Sequence, residues 1–570
     1  MKLEKVSIKK FRSFEKISFD VADVCAIVGK NNAGKSSVLR AINAVFNFKE
    51  EEKDFVNGNH SYTKASSPVI ELTFVDIPSH KVYSDNGISS TLRLQFKYEY
   101  KKKRPSYKFE NGNRWHSIPD MLRDKVFEDI SFVLIPAARY SELNVDNDSG
   151  LLRKVIEKEF ELRTKRRDGL SPKVSKLAKE IGKGKFDDIA KKLDRYYSLT
   201  HSHDLILDYM DTVDYSMMLK SVGIKIKDCS IIFTTSDCGT GVQSMIAVAL
   251  YRYWASLNHK SIILGIEEPE TNLHPQAQKE FIAGFKAGSS SDTEAQIILT
   301  THSATIVDEL EHKQIVLVKK TEDEKRGFKS AVSQIRRDFL DYYHLKDHAY
   351  GKFHKYRNSD FFFSELVVLA EGEVDAEVIK AFIAEKATNI NSFEISVIDL
   401  RGVENLKYML YLLKEIGLEH VVVIDKDFFC PYVNGKREDS LDKNGLPKYK
   451  TEFNNAHLEL IKHIIPKESE RKRLLSLINS NHTKTLDMLE PYGIVCMRFN
   501  LESDLVNARD IRLALCRQFR LQGPNCTFAA LLKDHRAAVK RSEKLVPAIA
   551  HARNYPRSLV RLLKIIRRKL

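Results

Sequence analysis

The stretch CAIVGKNNAGKSSVLRAINAVF, residues 25–46, decides how this chain is read. The apolar run Cys25 to Val28 makes a buried strand, a glycine loop follows, and the apolar residues after it recur at helical spacing. Gly29-Lys30-Asn31-Asn32-Ala33-Gly34-Lys35-Ser36 fits G-x-x-x-x-G-K-[ST] in full, with Ser37 behind it. Strand, loop and helix thus come in the order a phosphate site requires. The glycines let the backbone curl so that successive N–H groups and the helix N-terminus face phosphate. Lys35 reaches the β and γ oxygens and Ser36 holds magnesium. The expected ligand is ATP with Mg²⁺, contacted by Gly29, Asn31, Asn32, Gly34, Lys35, Ser36 and Ser37.

Working outward, residues 1–25 alternate apolar and polar as a half-buried hairpin does, and 67–76 and 91–100 read as further strands. The stretch from about 145 to 215 is charged and poor in glycine, with Leu152, Val155, Ile156 and Phe160 at helical spacing. It reads as a helical insertion. From 230 the strand-helix alternation returns, with strands IIF, SIILGI and QIILTT. SIILGIEEPE sets Glu267 and Glu268 at a strand end, the first to bind magnesium through water and the second to orient attacking water as a base. TTHSATIVD sets His302 just past a strand, in reach of a γ-phosphate. Residues 236–244 (SDCGTGVQS) open a helix with Gly239, Gly241 and Gln243, an anion site that Lys35's own phosphates do not need. A second copy's nucleotide is the ligand expected there.

A second α/β unit begins after a polar connector, with strands LVVLA (366–370), ISVIDL (395–400) and HVVVID (420–425). Glu371 follows the first of these, Asp425 comes 54 residues later, and Asp427 lies two residues beyond it. Strand ends of a parallel sheet meet at one edge, so these carboxylates converge. Clustered carboxylates repel unless cations sit between them, and hard oxygen ligands suit Mg²⁺ or Mn²⁺. Two such ions clamp a phosphodiester, activating water on one side and stabilising the leaving oxygen on the other.

The 570 residues, 30% charged and 43% hydrophobic, suit a multidomain globular protein, and no run of about 18 apolar residues offers a membrane span. MKLEKVSIKKF lacks the apolar core of a secretory signal, so a cytoplasmic location is expected. Seven cysteines without a C-x-x-C pair suggest neither a disulfide framework nor a zinc ribbon. The net charge of +15 gathers in the tail, where residues 533–570 hold 12 Lys/Arg against 2 Asp/Glu. Leu559, Val560, Leu562, Leu563, Ile565 and Ile566 can form an apolar helical face that docks on the preceding α/β unit, and Arg553, Arg557, Arg561, Lys564, Arg567, Arg568 and Lys569 are expected to line the path of the DNA backbone.

KLEKVSIKKFRSFEKISFD, IPAAR (135–139) and EEPETNLHP (267–275) resemble the branch of ABC-type ATPases that acts on DNA, over roughly residues 1–320. Two features depart from that pattern: Glu267 stands where Asp is usual, and the signature is not LSGGQ. The insertion lacks the sustained heptads of a long coiled-coil arm. Glu371 with Asp425-Lys426-Asp427 resembles the TOPRIM pattern, a Glu after one strand and D-x-D after a later one. An ABC ATPase followed by TOPRIM resembles the OLD (overcoming lysogenization defect) family of nucleases, which includes the nuclease subunit of Gabija and is related to retron-associated defence nucleases. That resemblance implies further metal ligands at Asp375, Asp399 and Glu502, and a late catalytic lysine, Lys544 or Lys540.

The fold expected is therefore α/β. An ABC-type ATPase domain (1–144 and 230–345) carries a helical, dimerising insertion (145–229). A linker (346–364) leads to a small parallel-sheet TOPRIM domain with helical additions (365–570). The resemblance implies an ATP-hydrolysing, metal-dependent DNA endonuclease in antiviral defence that pairs with itself. Its further partners would be a helicase or a reverse transcriptase with its nucleic acid, and no membrane. Two other readings stand beside it: a DNA-bound ATP switch whose TOPRIM domain recruits a partner without cutting, and a toxin subunit restrained until infection.

Overall fold

Alternate residues of Lys2–Phe11 (β1) and Phe14–Asp20 (β2) are buried, so the two strands share one wet and one dry face. They form the expected antiparallel hairpin, with Val6 opposite Phe19 and Ile8 opposite Ile17. The computed structural model describes residues 1–63, 66–137, 151–152, 155–156, 184–197, 203–209, 222–257, 261–286, 295–323, 327–346, 351, 359–386, 395–550 and 552–569. The chain divides into two units, Met1–Ile335 and Arg336–Leu570, ahead of the expected end of the ATPase part at 345.

In the first unit, Val24–Val28 (β3), Val69–Val75 (β4), Thr91–Glu99 (β5), Arg104–Asn111 (β6), Arg114–Ser117 (β7) and Ile130–Ile135 (β8) precede the insertion. Asp204–Tyr209 (β9), Val222–Asp228 (β10), Ile231–Thr234 (β11), Ser261–Glu267 (β12), Ala295–Thr300 (β13), Ile315–Asp323 (β14) and Gly327–Gln334 (β15) complete the strands described. The main sheet runs β7-β6-β5-β4-β1-β2-β15-β14-β3-β13-β12-β8. From β14 to β8 all neighbours are parallel. β3 lies inside this half, which is why all five of its residues are buried. Glu267 pairs with Thr300, and Thr300 with Ile27, so the chain leaves β3, β12 and β13 at one edge.

The segment 145–229 differs from the all-helical expectation where it is described. Lys185–Asp194 is a helix, but β9 and β10 pair antiparallel, and β11 joins them in a separate three-stranded sheet. DLILDY (204–209) carries the period-two signal of a strand, with Leu205 and Leu207 buried. IIF thus belongs to this small sheet and not to the main one. Most of the expected dimerising insertion, Phe160 included, lies outside the described residues, as do Ala138 and Arg139 of IPAAR.

The second unit is built on Leu366–Ala370 (β16), Ile395–Asp399 (β17), Glu419–Ile424 (β18) and Ile494–Cys496 (β19), all parallel in the order β17-β16-β18-β19. The helix Glu373–Lys386 buries Val378, Ile379, Phe382 and Ile383 in the core of this unit. The tail helix Arg557–Lys569 docks there too, through Leu559, Leu562, Ile565 and Ile566. Several of its cations have acidic partners within the protein. Arg561 pairs with Asp487 and Glu490, Arg568 with Glu490 at 2.6 Å, and Lys569 with Glu419. The helix end has acidic protein neighbours, which a reading of the basic residues alone does not reveal. Cys516 and Cys526, expected to be unpaired, form one disulfide. No described helix is long and apolar enough to cross a membrane.

Candidate functional site

Two sites arise, one at each parallel edge. In the first unit the loop after β3 enters the helix Lys35–Phe46 through Gly34, at φ +112°, and leaves the strand through Gly29, at φ +141°. A Cβ on Gly29 would lie 2.1 Å from the Val318 carbonyl oxygen, so only glycine lets the loop pass β14. On Gly34 it would lie 3.0 Å from Ser13 Oγ and 3.1 Å from Ser330 Oγ. Lys35 is buried, and its Nζ donates to the carbonyls of Gly29 and Lys30, both at 3.0 Å. Burial lowers the Lys35 ammonium to about 8, against the pull of Glu268 and Glu270. A polyanion would favour the charged ammonium, so the loop fits a nucleotide's phosphates.

Glu268 follows β12 in a left-handed conformation (φ +42°), and its N–H donates to the Thr300 carbonyl at 3.0 Å. Its Oε1 lies 3.8 Å from His302 Nε2. Burial, then Lys35, lowers the His302 imidazolium, so the ring is neutral at pH 7. Glu267 sits 3.8 Å from Arg40 Nε, and burial raises its carboxyl. At the entry to the helix Thr240–Ser256, Gln243 Nε2 donates to the Cys238 carbonyl at 3.0 Å. Gly241 lets the Asn272 carbonyl approach to 2.5 Å of where a Cβ would stand, while around Gly239 the space is open.

In the second unit the ends of β16, β17 and β18 are level, Ala370 pairing with both Asp399 and Val423. Glu371, Asp425 and Asp427 each offer a ligand atom within 4.8 Å of the others. Asp425 Oδ1 accepts from the Leu501 N–H at 3.0 Å, and Asp427 Oδ2 from the Tyr432 hydroxyl at 2.9 Å. Asp427 Oδ1 is buried without a hydrogen-bond partner. A carboxylate oxygen left dry in this way, facing two other carboxylates, fits a divalent cation. Burial, then Asp427 and Asp375, pushes Glu371 up to about 7. Asp375 is likewise raised to about 7 by burial and then Glu502, and Asp425 is raised by burial and then Asp375 and Glu371.

The AAA ATPase domain family matches residues 1–204 and 130–307, more than half of the chain. The chain belongs to that family. The overcoming lysogenization defect protein-like TOPRIM domain matches residues 362–427, so the chain is an ATPase-TOPRIM fusion homologous to the OLD and GajA nucleases. The OLD nuclease of Thermus scotoductus is 25% identical over 452 residues, 75% of this chain and 82% of that one. The Old nuclease of Escherichia phage P2 is 22% identical over 77% of this chain and 80% of its own. Endonuclease GajA of Bacillus cereus strain VD045 is 22% identical over 75% of each. An SMC head solved with the C-winged helix domain of ScpA superposes on 59% of this chain and 99% of its own, at 15% identity and a TM-score of 0.42.

The ATPase domain brings Gly29, Gly34, Lys35, Glu267, Glu268 and His302 to one edge, and the TOPRIM domain does the same for Glu371, Asp375, Asp425 and Asp427. Asp399 accepts the Arg401 N–H at 2.8 Å and meets its Nε at 3.2 Å, and its charge also acts on Asp375. Of the two late lysines, Lys540 lies 3.5 Å from Glu502 Oε1, whereas Lys544 lies over the Phe519 ring. Several residues at these sites were missed. Glu270 accepts the His302 N–H at 2.6 Å and has a second, dry, unpartnered oxygen. Glu404 helps to raise the Glu371 carboxyl by like-charge repulsion, and Arg437 and Arg536 approach Glu502. The EEPE run displayed Glu270 in plain view. Nothing in the spacing marked Arg437.

Proposed function

We propose that this ATPase-TOPRIM protein is an ATP-hydrolysing, metal-dependent DNA endonuclease acting in antiviral defence. The single observation that carries the cutting half is the convergence of Glu371, Asp425 and Asp427, with the unpartnered Asp427 Oδ1, on one point of a parallel edge. Phosphodiester cleavage is supported by the similarity to proteins named nuclease and endonuclease, and DNA as the substrate is this reading's own step, from the resemblance of residues 1–320 to ATPases that act on DNA. Mg²⁺ or Mn²⁺ held there would supply Lewis acidity to the phosphoryl oxygen and to the attacking water. The three carboxylates hold the ion, and Leu501 N–H and Tyr432 fix the orientation of Asp425 and Asp427. Water adds to phosphorus as the P–O ester bond breaks, leaving a phosphate on one end and a hydroxyl on the other. The two-ion form of this reading gives a second ion to Asp375, Asp399 and Glu502.

In the ATPase half, Lys35 and the loop N–H groups bind the phosphates and Ser36 holds magnesium. Glu268 takes the proton of the attacking water, with neutral His302 beside it at the γ-phosphate. Gly239, Gly241 and Gln243, at the exposed N-terminus of their helix, serve the nucleotide of a second copy, so the active ATPase is a self-pair. The test is to incubate the full chain with supercoiled, linear and single-stranded DNA, with Mg²⁺ or Mn²⁺ or with EDTA, and with or without ATP. Metal-dependent cuts are expected. Cleavage that persists in EDTA, or none on any substrate, rejects the reading.

A further inference from the structure

Along the tail helix Arg557–Lys569 the later cations are answered by acids, and the first is not. Arg561, Arg568 and Lys569 meet Asp487, Glu490 and Glu419, whereas Arg557 donates to the Thr483 hydroxyl at 2.6 Å. Arg498, two residues past β19, is exposed as Arg557 is, and among the described residues neither guanidinium forms an ion pair. Both line a cavity of about 330 Å³, together with His482, Asp504, Asn507 and Tyr555. His482 Nε2 is dry and without a hydrogen-bond partner. Burial, then Arg498, Lys426 and Arg557, lowers the His482 imidazolium to about 4, so the ring is neutral at pH 7. Asp504, the carboxylate on this wall, is turned to the protein, its oxygens accepting the N–H groups of Arg498 at 2.7 Å and Phe499 at 3.0 Å. Three helices also begin on the wall, at His482, after Ala508 and at Arg557, and a helix start carries partial positive charge. A dry ring nitrogen and two unanswered guanidinium groups around one hollow fit an anion.

The hollow lies at the strand-end edge that also carries the carboxylates. β19 is parallel to β18, with Cys496 opposite Ile424, so Arg498 stands two residues past its strand as Lys426 does past its own. The Phe499 carbonyl accepts the Lys426 N–H at 3.1 Å, and the Leu501 N–H donates to Asp425 Oδ1 at 3.0 Å. One short segment, Arg498 to Leu501, thus walls the cavity at its first residue and seats a metal-site carboxylate at its last. The tail helix arrives in the matching direction. Lys569 at its end pairs with Glu419 at the start of β18, which puts Arg557 at the strand-end edge.

Resting on the nuclease reading above, we infer that this cavity binds a backbone phosphate of the strand being cut, one that flanks the scissile phosphodiester, through Arg498, Arg557 and His482. A strand whose scissile group lies at Glu371, Asp425 and Asp427 brings a neighbouring phosphate to the adjoining hollow. Each guanidinium offers a planar fork that matches two phosphate oxygens, and the imidazole adds a third donor. Such contacts go to the backbone and not to the bases, so they position the strand at the carboxylates without selecting its sequence.

The test reads binding without requiring cleavage. Full-length wild type, Arg498→Gln, Arg557→Gln and Arg498→Lys are compared for affinity to a duplex oligonucleotide in EDTA, with thermal unfolding as the check of fold. Each Gln variant should bind about tenfold more weakly and flatten the slope of log K against log salt by roughly 0.9. Arg498→Lys keeps the charge and should keep the wild-type slope. Unchanged affinity and slope in Arg498→Gln, or a slope in Arg498→Lys as flat as in Arg498→Gln, overturns the inference even if Arg557→Gln misfolds. Inorganic phosphate and thymidine 5′-monophosphate are titrated into the wild type and Arg498→Gln by calorimetry. Binding of either that is lost in Arg498→Gln, with DNA affinity unchanged, gives the cavity to a free phosphate ligand and overturns the DNA assignment. The same preparations then receive Mg²⁺ and DNA. Weaker binding by the Gln variants, with no cut by the wild type on any substrate, keeps the phosphate contact and rejects the nuclease reading. Normal cutting with unchanged affinity rejects the cavity's role alone.

Discussion

Gly29 and Glu371 show what a single residue contributes at each site. Gly29 combines a φ of +141° with a carbonyl 2.1 Å from where a Cβ would be, so Gly29→Ala should strain the backbone and push β14 away. A cost of about 2–4 kcal/mol and loss of nucleotide binding are expected, read by denaturant unfolding and a fluorescent ATP analogue. Glu371 and Asp375 have their carboxyls raised to about 7 in the folded chain. The unfolded chain gives up those protons at lower pH, so the metal-free protein loses stability as pH climbs from the usual carboxylate range through about 7. A bound cation favours the ionised form and reverses this. Thermal unfolding should show a larger rise in Tm on adding Mg²⁺ at about pH 8 than at about pH 6. An equal rise at both would mean that these carboxylates do not hold the ion. The motif made Gly29 legible as a residue type. That Val318 is the atom forbidding a side chain is a contact across 289 positions, beyond any local pattern.

Among elements, the tail helix Arg557–Lys569 separates what periodicity reveals from what it hides. Its apolar positions were legible in part, because residues three and four apart lie on one helical face: Leu559, Leu562, Ile565 and Ile566 are buried and Leu563 packs partly against the core, whereas Val560 is exposed. Leu562→Ala should cost about 2–5 kcal/mol in chemical denaturation. The partners of its charges were not legible, since Glu490, Asp487 and Glu419 come from distant segments. Arg568 is exposed and its pair with Glu490 is worth at most about 1 kcal/mol. Replacing Arg567, Arg568 and Lys569 by Gln should therefore change stability little and leave the salt slope of DNA binding as it was. A flatter slope would restore the tail to the DNA path. The strands β9 and β10 fail in the opposite way. Their alternation is visible in the sequence, but it lies in a charged stretch whose overall character suggests helix.

For the whole molecule, the two sites belong to separate compact units, and this sets the pattern of loss. Asp427→Ala should end DNA cleavage while ATP hydrolysis by the same preparation stays within about twofold of wild type, a change of about 0.4 kcal/mol in barrier. Glu268→Gln keeps the shape of the ATP site and removes the base, so the protein should bind ATP, stall and accumulate as a pair in light scattering. A Glu268→Gln protein that hydrolyses ATP normally would shift the base to Glu267 or to Glu270, whose dry oxygen lies in the same loop.

What the amino-acid sequence determined by itself is what depends on neighbours along the chain. The phosphate loop, the strand-end acids and the order of ATPase and TOPRIM domains follow from short runs, because a strand, a turn and a helix start are specified within a few residues. Tertiary structure alone decided which side chains from distant segments meet. Lys540 rather than Lys544 reaches Glu502, Asp399 meets Arg401, and the buried Arg437 comes within 3.6 Å of Glu502. The physical reason is that charge acts through space, over a few ångströms in a dry interior. The path of the chain between Arg437 and Glu502 carries no signal of how near they end.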